Sequence, residues 1–391
     1  MYYKSTIAAI SFFALLMLFS CNSSAPDQGV YIGGILSQNN RDQLVLYLID
    51  TVNFHAVDSV KPNEEGEFSF FLKTDTTGFY FLGNRSYFTP AFVAFPGDSI
   101  RFVITKNHTI DVNGGREAEA VSGFMHSLSK GKLRIDSLFE SVQKARYNGD
   151  YARARLEADA ALKLITDSLK EKALNFIQVN PFFLSNMLIL NANPGGTMLF
   201  DESIDYPLFI RADSLLQTYH QTNTHAVFFH HRVTLLRARV EAMNRTKELL
   251  DSGKIVPDIV LEGTSGKPTG LHEKKGKLTL IYFWNPAESL SRQSNVRLKQ
   301  LYEKCKSKDF SVFAVSFDTD VDRFKSVVEM DKLWWDNVND TLGRDSPVLQ
   351  SYAINEFPSF VLMDEQKKAV GVFLSVEALG LWMEDNFLSD F

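Results

Sequence analysis

The stretch Leu278-Thr279-Leu280-Ile281-Tyr282-Phe283 is apolar at all but one position, and no other segment constrains the fold of this chain as tightly. A strand wet on one face alternates polar with apolar residues. An unbroken run of this length instead fits a strand covered on both faces, the usual condition of a parallel sheet. A helix is predicted after it, with Val296, Leu298, Leu301 and Tyr302 among its apolar positions. Phe310 to Phe317 is a second run of the same kind, and strand, helix, strand in that order implies a right-handed crossover. Ser359 to Met363, a turn over 364–368 and Val370 to Phe373 predict a hairpin. A terminal helix is expected from about Val376.

The chain has 391 residues, enough for further domains before this one. From Gly29 to about Val112, short runs rich in β-branched and aromatic residues are divided by turn chemistry. The runs are 30–32, 44–48, 68–72, 79–82 and 100–104; the turns include Asn39-Asn40, 62–66 and Pro96-Gly97-Asp98. That spacing predicts an antiparallel β-sandwich over 29–115, and 32 Phe with 13 Tyr suit such packing. From 116 to 250 the pattern becomes helical. Ala158, Leu162, Ile165, Leu169, Ala173 and Phe176 form a one-faced stripe that Asn180-Pro181 ends. Phe229, Val233, Leu236, Val240 and Met243 repeat the spacing. The fold class is therefore α+β multidomain: a sandwich, a helical connector region over 116–250 and an α/β domain over 251–391.

The N-terminus reads as a targeting segment. Lys4 supplies positive charge, and Ile7 to Phe19 form an apolar core too short to span a bilayer comfortably. Leu18-Phe19-Ser20-Cys21 resembles a bacterial lipobox. The resemblance implies a lipoprotein signal peptide over 1–20, acylation (palmitate and related chains) on Cys21, and a tether over 21–28. The expected location is the cell envelope, anchored in the outer membrane and facing the periplasm. The 29–115 region resembles an N-terminal domain of unknown function found on lipoproteins of one Gram-negative phylum, through Gly33-Gly34-Ile35, 66–70, Gly78-Phe79-Tyr80 and 96–100.

The C-terminal element order resembles the thioredoxin fold, in its TlpA-like and AhpC/TSA (peroxiredoxin)-like branch. Val256 to Leu261 matches the entry segment, Gly276-Lys277 precedes the first core strand, and Phe283-Trp284 and Phe317-Asp318 stand at strand ends. Phe357-Pro358-Ser359-Phe360 matches the loop whose proline is cis. In active relatives two cysteines separated by two residues follow the Phe-Trp pair, then a basic residue. Counted without a gap, those positions are Glu288 and Ser291, with Arg292 as the basic residue. Glu288-Ser289-Leu290-Ser291 thus replaces the Cys-x-x-Cys of the family. Exchange needs a thiolate of lowered pKa at a helix start; a carboxylate suits the helix dipole but forms no mixed disulfide. The expectation is a pseudo-active site with no catalytic residues.

Only Cys21 and Cys305 exist, and Cys305 lies deep in the helix, where the dipole at its start does little for it. What the resemblance leaves is binding. A peptide groove lined by Trp284, Glu288, Ser291, Arg292, Phe357 and Pro358 would take an extended chain beside the proline loop. Trp334 and Trp335 are candidates for an added apolar wall. The histidines His220, His225, His230 and His231 stand at steps that do not put ligands on one helical face, so no metal and no cofactor are expected. A net charge of −6 without a basic run gives no reason to expect nucleic acid. The expected partners are the membrane, through the lipid, and an envelope protein or peptide. The rival reading is a thiol-disulfide oxidoreductase or antioxidant enzyme.

Overall fold

The computed structural model describes residues 29–36, 42–84, 88–105, 110–148, 150–250 and 255–388. The signal segment 1–20 and the tether 21–28, Cys21 included, lie outside the described residues.

Eight strands come first: β1 (Gly29–Leu36), β2 (Leu44–Ile49), β3 (Phe54–Val60), β4 (Glu67–Lys73), β5 (Gly78–Gly83), β6 (Phe92–Ala94), β7 (Ser99–Ile104) and β8 (Ile110–Gly114). They form two four-stranded sheets, ordered β4-β1-β7-β8 and β3-β2-β5-β6. Val30, Ile32, Leu44, Leu46, Phe70, Leu82 and Phe102 fill the space between them, each contributing about 1.5–3 kcal/mol by leaving water. Alternation is clean in β7, where Ile100, Phe102 and Ile104 point inward. The strand pairs are antiparallel as expected, except that β1 and β7 run parallel. The chain joining them visits the other sheet, so no hairpin dictates their direction. They also approach closely: a Cβ on Gly34 would lie 2.0 Å from the Phe102 carbonyl oxygen.

The helices α1 (Ala118–Asn148), α2 (Tyr151–Val179), α3 (Asn186–Leu190), α4 (Tyr206–Tyr219) and α5 (Thr224–Leu250) follow. In α2 the apolar stripe buries Ile165, Leu169, Ala173 and Phe176, and the Asn180 amide closes the helix onto the Phe176 carbonyl. Phe79 and Val93, on the outer face of the second sheet, share this helical core. Sandwich and helices are thus packed together rather than strung apart.

The last part contains β9 (Val260–Gly263), β10 (Pro268–Gly270), β11 (Leu278–Trp284), α6 (Ser289–Cys305), β12 (Phe310–Ser316), α7 (Val321–Asp331), β13 (Asp336–Asn339), α8 (Pro347–Ser351), β14 (Ser359–Asp364), β15 (Ala369–Phe373) and α9 (Val376–Met383). One sheet, ordered β10-β9-β13-β12-β11-β14-β15, runs through it. β11 is central and buried along its whole length, parallel to β12 and antiparallel to β14. One core lies beneath α6, α7 and α9; the other faces α5 and α8.

Candidate functional site

The end of β11 sets the site. Trp284, the last strand residue, is 0% exposed, its ring beside Tyr282 and Phe324. It belongs to the core and presents nothing to a groove. At Asn285 the chain leaves the sheet. The Asn285 side chain donates to the Phe317 carbonyl at 3.0 Å and accepts from the Ala287 amide at 2.9 Å, shaping the turn into α6.

Glu288 is the residue before α6 and has extended backbone angles; its side chain does not cap the helix. It accepts instead from Arg344 Nη2 at 2.9 Å. Arg344 also donates to the Asn355 carbonyl at 2.6 Å and lies 4.7 Å over the Phe357 ring. That ring stacks on Phe317 at 5.1 Å and 12°. The Phe357–Pro358 bond is cis. One arginine therefore ties the start of α6 to the proline loop, through a charge, a carbonyl and a ring.

Ser291 points inward and is fully buried. Its hydroxyl accepts from the Asn285 amide at 3.2 Å, and Tyr282 Oη donates toward its carbonyl at 3.0 Å and toward Asn295 Oδ1 at 2.9 Å. Arg292, one residue on, is held by Asp331 at 2.8 and 2.7 Å in a two-pronged pair. Asn295 donates to the same carboxylate at 3.0 Å. Burial, and then the Asp331 charge, hold the Tyr282 hydroxyl well above the usual phenol range. This network is structural: it locks α6 to α7, buries Ser291 and commits the partly exposed Arg292 to Asp331.

Cys305 ends α6 and is 0% exposed, inside the core beneath α6 and α9. Burial pushes its thiol up, and the opposing pull of Lys304 and Lys308 is smaller. A thiol this deep is neither ionised nor reachable.

Phe357 and Pro358 are buried as well. A small space lined by Arg239, Ala242, Met243 and Thr246 of α5 adjoins the proline. Thr246 Oγ1 donates to the Ala353 carbonyl at 3.0 Å, and Arg239 pairs with Glu356 at 3.1 Å. The helical region thus packs against one side of the proline loop. Of the six residues expected along a peptide groove, the structure brings Glu288 and Phe357 together through Arg344, buries Trp284 and Ser291, pairs Arg292 with Asp331 and leaves Pro358 lining two spaces. Trp335 is core, edge-on to Tyr302, whereas Trp334 is exposed. Arg344 and Asp331 carried no signal in the sequence.

The four histidines of the helical region do not converge. His230 Nδ1 lies 3.0 Å from Asp213, His225 packs on Phe79, and His220 Nε2 is 2.9 Å from the Phe182 carbonyl. Among the described residues no group of three or more His, Cys, Asp or Glu is placed to hold a metal ion, and no helix is long and apolar enough to cross a membrane.

Residues 276–369 match a family model described as Thioredoxin-like. The thiol-disulfide oxidoreductase ResA of Bacillus subtilis is 28% identical over 127 residues, covering 32% of this chain and 69% of that protein. Its Bacillus cereus counterpart is 25% identical over 124 residues, covering 32% and 70%. Among solved structures, the thioredoxin domain of a thiol-disulfide oxidoreductase from Bacteroides vulgatus is 31% identical, covering 34% of this chain and 95% of that one, with a TM-score of 0.32. The C-terminal domain of this chain is thioredoxin-like, with thiol-disulfide oxidoreductases among its homologues.

Proposed function

We propose that this thioredoxin-like domain acts by binding polypeptide in the cell envelope and performs no thiol-disulfide exchange. One observation carries the reading. The two positions where relatives of this fold place cysteines hold a carboxylate paired to Arg344 and a buried serine engaged with backbone, while Cys305 is sealed in the core. Exchange requires an accessible thiolate to attack sulfur, and neither oxygen nor a buried thiol supplies one. The names of the homologues favour the rival, an oxidoreductase. Dithiothreitol-driven reduction of insulin separates the two: the full chain is expected to leave the uncatalysed rate unchanged. Acceleration that Cys305→Ser abolishes overturns the proposal.

The same reading places the chain on the outer membrane through a lipid on Cys21, with the folded part in the periplasm. Its support is the order of charge, apolar core and Leu-Phe-Ser-Cys in the sequence. Cys21→Ala is expected to move the protein from the membrane fraction to the soluble periplasm; unchanged fractionation contradicts the anchor.

A further inference from the structure

A cleft of about 800 Å³ separates the helical region from the outer surface of α6 and α9, within the roughly 300–1,000 Å³ usual for ligand sites. It runs along α6 and reaches Pro358 of the proline loop at one end. Leu290, Gln293, Ser294, Arg297, Gln300 and Lys304 line it, at the three- and four-residue steps of one helical stripe. From Leu290 to Lys304 that stripe measures ~21 Å at 1.5 Å per residue, the length of about six residues of extended chain.

Four apolar side chains open into the cleft and stay partly wet: Leu290 at 52%, Leu381 at 49%, Met198 at 43% and Ile204 at 37% exposed. Two come from the thioredoxin-like domain and two from the loop before α4. Exposed apolar groups gathered on facing walls mark a binding surface more than scattered ones do. Cations and carboxylates line the cleft in equal number, and most of the cations are matched within the protein. Lys170 meets Asp205 at 2.8 Å, Arg232 meets Glu202 at 2.5 Å, and Arg297 meets Glu377. A ligand therefore needs no net charge to enter. The amides of Gln293 and Gln300, two turns apart on one face, each offer both donors and acceptors to a backbone.

From these features the geometry points to a binding site for an uncharged, extended polypeptide segment with apolar side chains, lying along α6 between the two domains. This deepens the binding reading above and rests on it. A neutral oligosaccharide has comparable length. The partly exposed apolar side chains here are aliphatic or methionine, however, and lack the aromatic faces on which sugar rings stack.

Titration calorimetry on the full chain tests the assignment. The probes are an N-acetylated, C-amidated hexapeptide of alternating leucine and serine, versions with aspartate or lysine in place of serine, and cellohexaose. The neutral peptide is expected to bind saturably and the charged versions several-fold more weakly. Leu290→Asp should weaken binding about tenfold, whereas Leu156→Asp, on an exposed face of α2 away from the cleft, should leave it unchanged. No saturable peptide binding, equal binding of charged and neutral peptides, indifference to Leu290→Asp, or binding of cellohexaose in place of peptide each overturns the site. Those failures leave the absence of thiol exchange standing; insulin reduction dependent on Cys305 overturns that reading instead.

Discussion

Arg344 Nη2 lies 2.9 Å from Glu288 Oε1, joining residues 56 positions apart. The pair is worth little as a charge interaction. Its side chains are 58% and 34% exposed, and exposed pairs contribute about 0–1 kcal/mol. Arg344 also holds the Asn355 carbonyl and covers the Phe357 ring. Arg344→Ala is therefore expected to cost about 1–2 kcal/mol in urea unfolding, and Glu288→Gln less than about 1 kcal/mol. Equal losses would show that the charge pair alone matters.

The Asp331 carboxylate behaves differently. It is mostly buried and serves Arg292 and Asn295 together. Asp331→Ala leaves a half-buried guanidinium and an amide without their acceptor, and is expected to cost about 3 kcal/mol. Arg292→Met, which removes the charge and keeps the stem, should recover part of that loss in the double variant. Additive losses in the double-mutant cycle contradict the network.

Alkaline pH is expected to weaken the fold. Burial raises the Cys305 thiol above its ordinary 9.0 and the Tyr282 and Tyr352 hydroxyls above their ordinary 10.0. Above those ordinary values the unfolded chain has released protons that the native chain still holds. The unfolding free energy then falls as pH rises from about 9. Cys305→Ala should flatten the first part of that decline, at a cost of about 1–2 kcal/mol near neutrality from the space it leaves. A profile flat to pH 11 in the parent chain contradicts this.

How much of this was legible in the sequence differs from element to element. β11, β12, β14 and β15 could be read because buried strands of this kind are apolar throughout or fold back through a short turn. β13, with sequence Asp-Asn-Val-Asn, could not. Asn337 and Asn339 are buried polar residues, made tolerable by bonds to the Leu333, Trp335 and Asp318 carbonyls, and no periodicity announces such bonds. β3 was missed for the opposite reason: it is an exposed edge whose residues face water. Positions 288 and 291 followed from counting along one motif. Arg344 and Asp331 reach the site from 56 and 39 residues away, which only tertiary packing reveals. Which residues near Pro358 are buried depends on how α5 docks against the loop, and no local pattern records that.

That docking yields its own expectation. Thr246, 2% exposed, donates to Ala353, and Thr246→Val removes the bond while keeping the shape. A loss of about 1 kcal/mol is expected, with faster hydrogen exchange at the amides of 353–357. Exchange confined to α5 would place the hydroxyl's role within its own helix.

The accessibility of Cys305 bears most directly on whether this domain performs thiol chemistry. The native chain, incubated with excess 5,5′-dithiobis(2-nitrobenzoate) at pH 8 and mapped by peptide mass, is expected to carry no adduct at Cys305 until urea unfolds it. Rapid, stoichiometric modification of Cys305 in the folded protein would contradict the account.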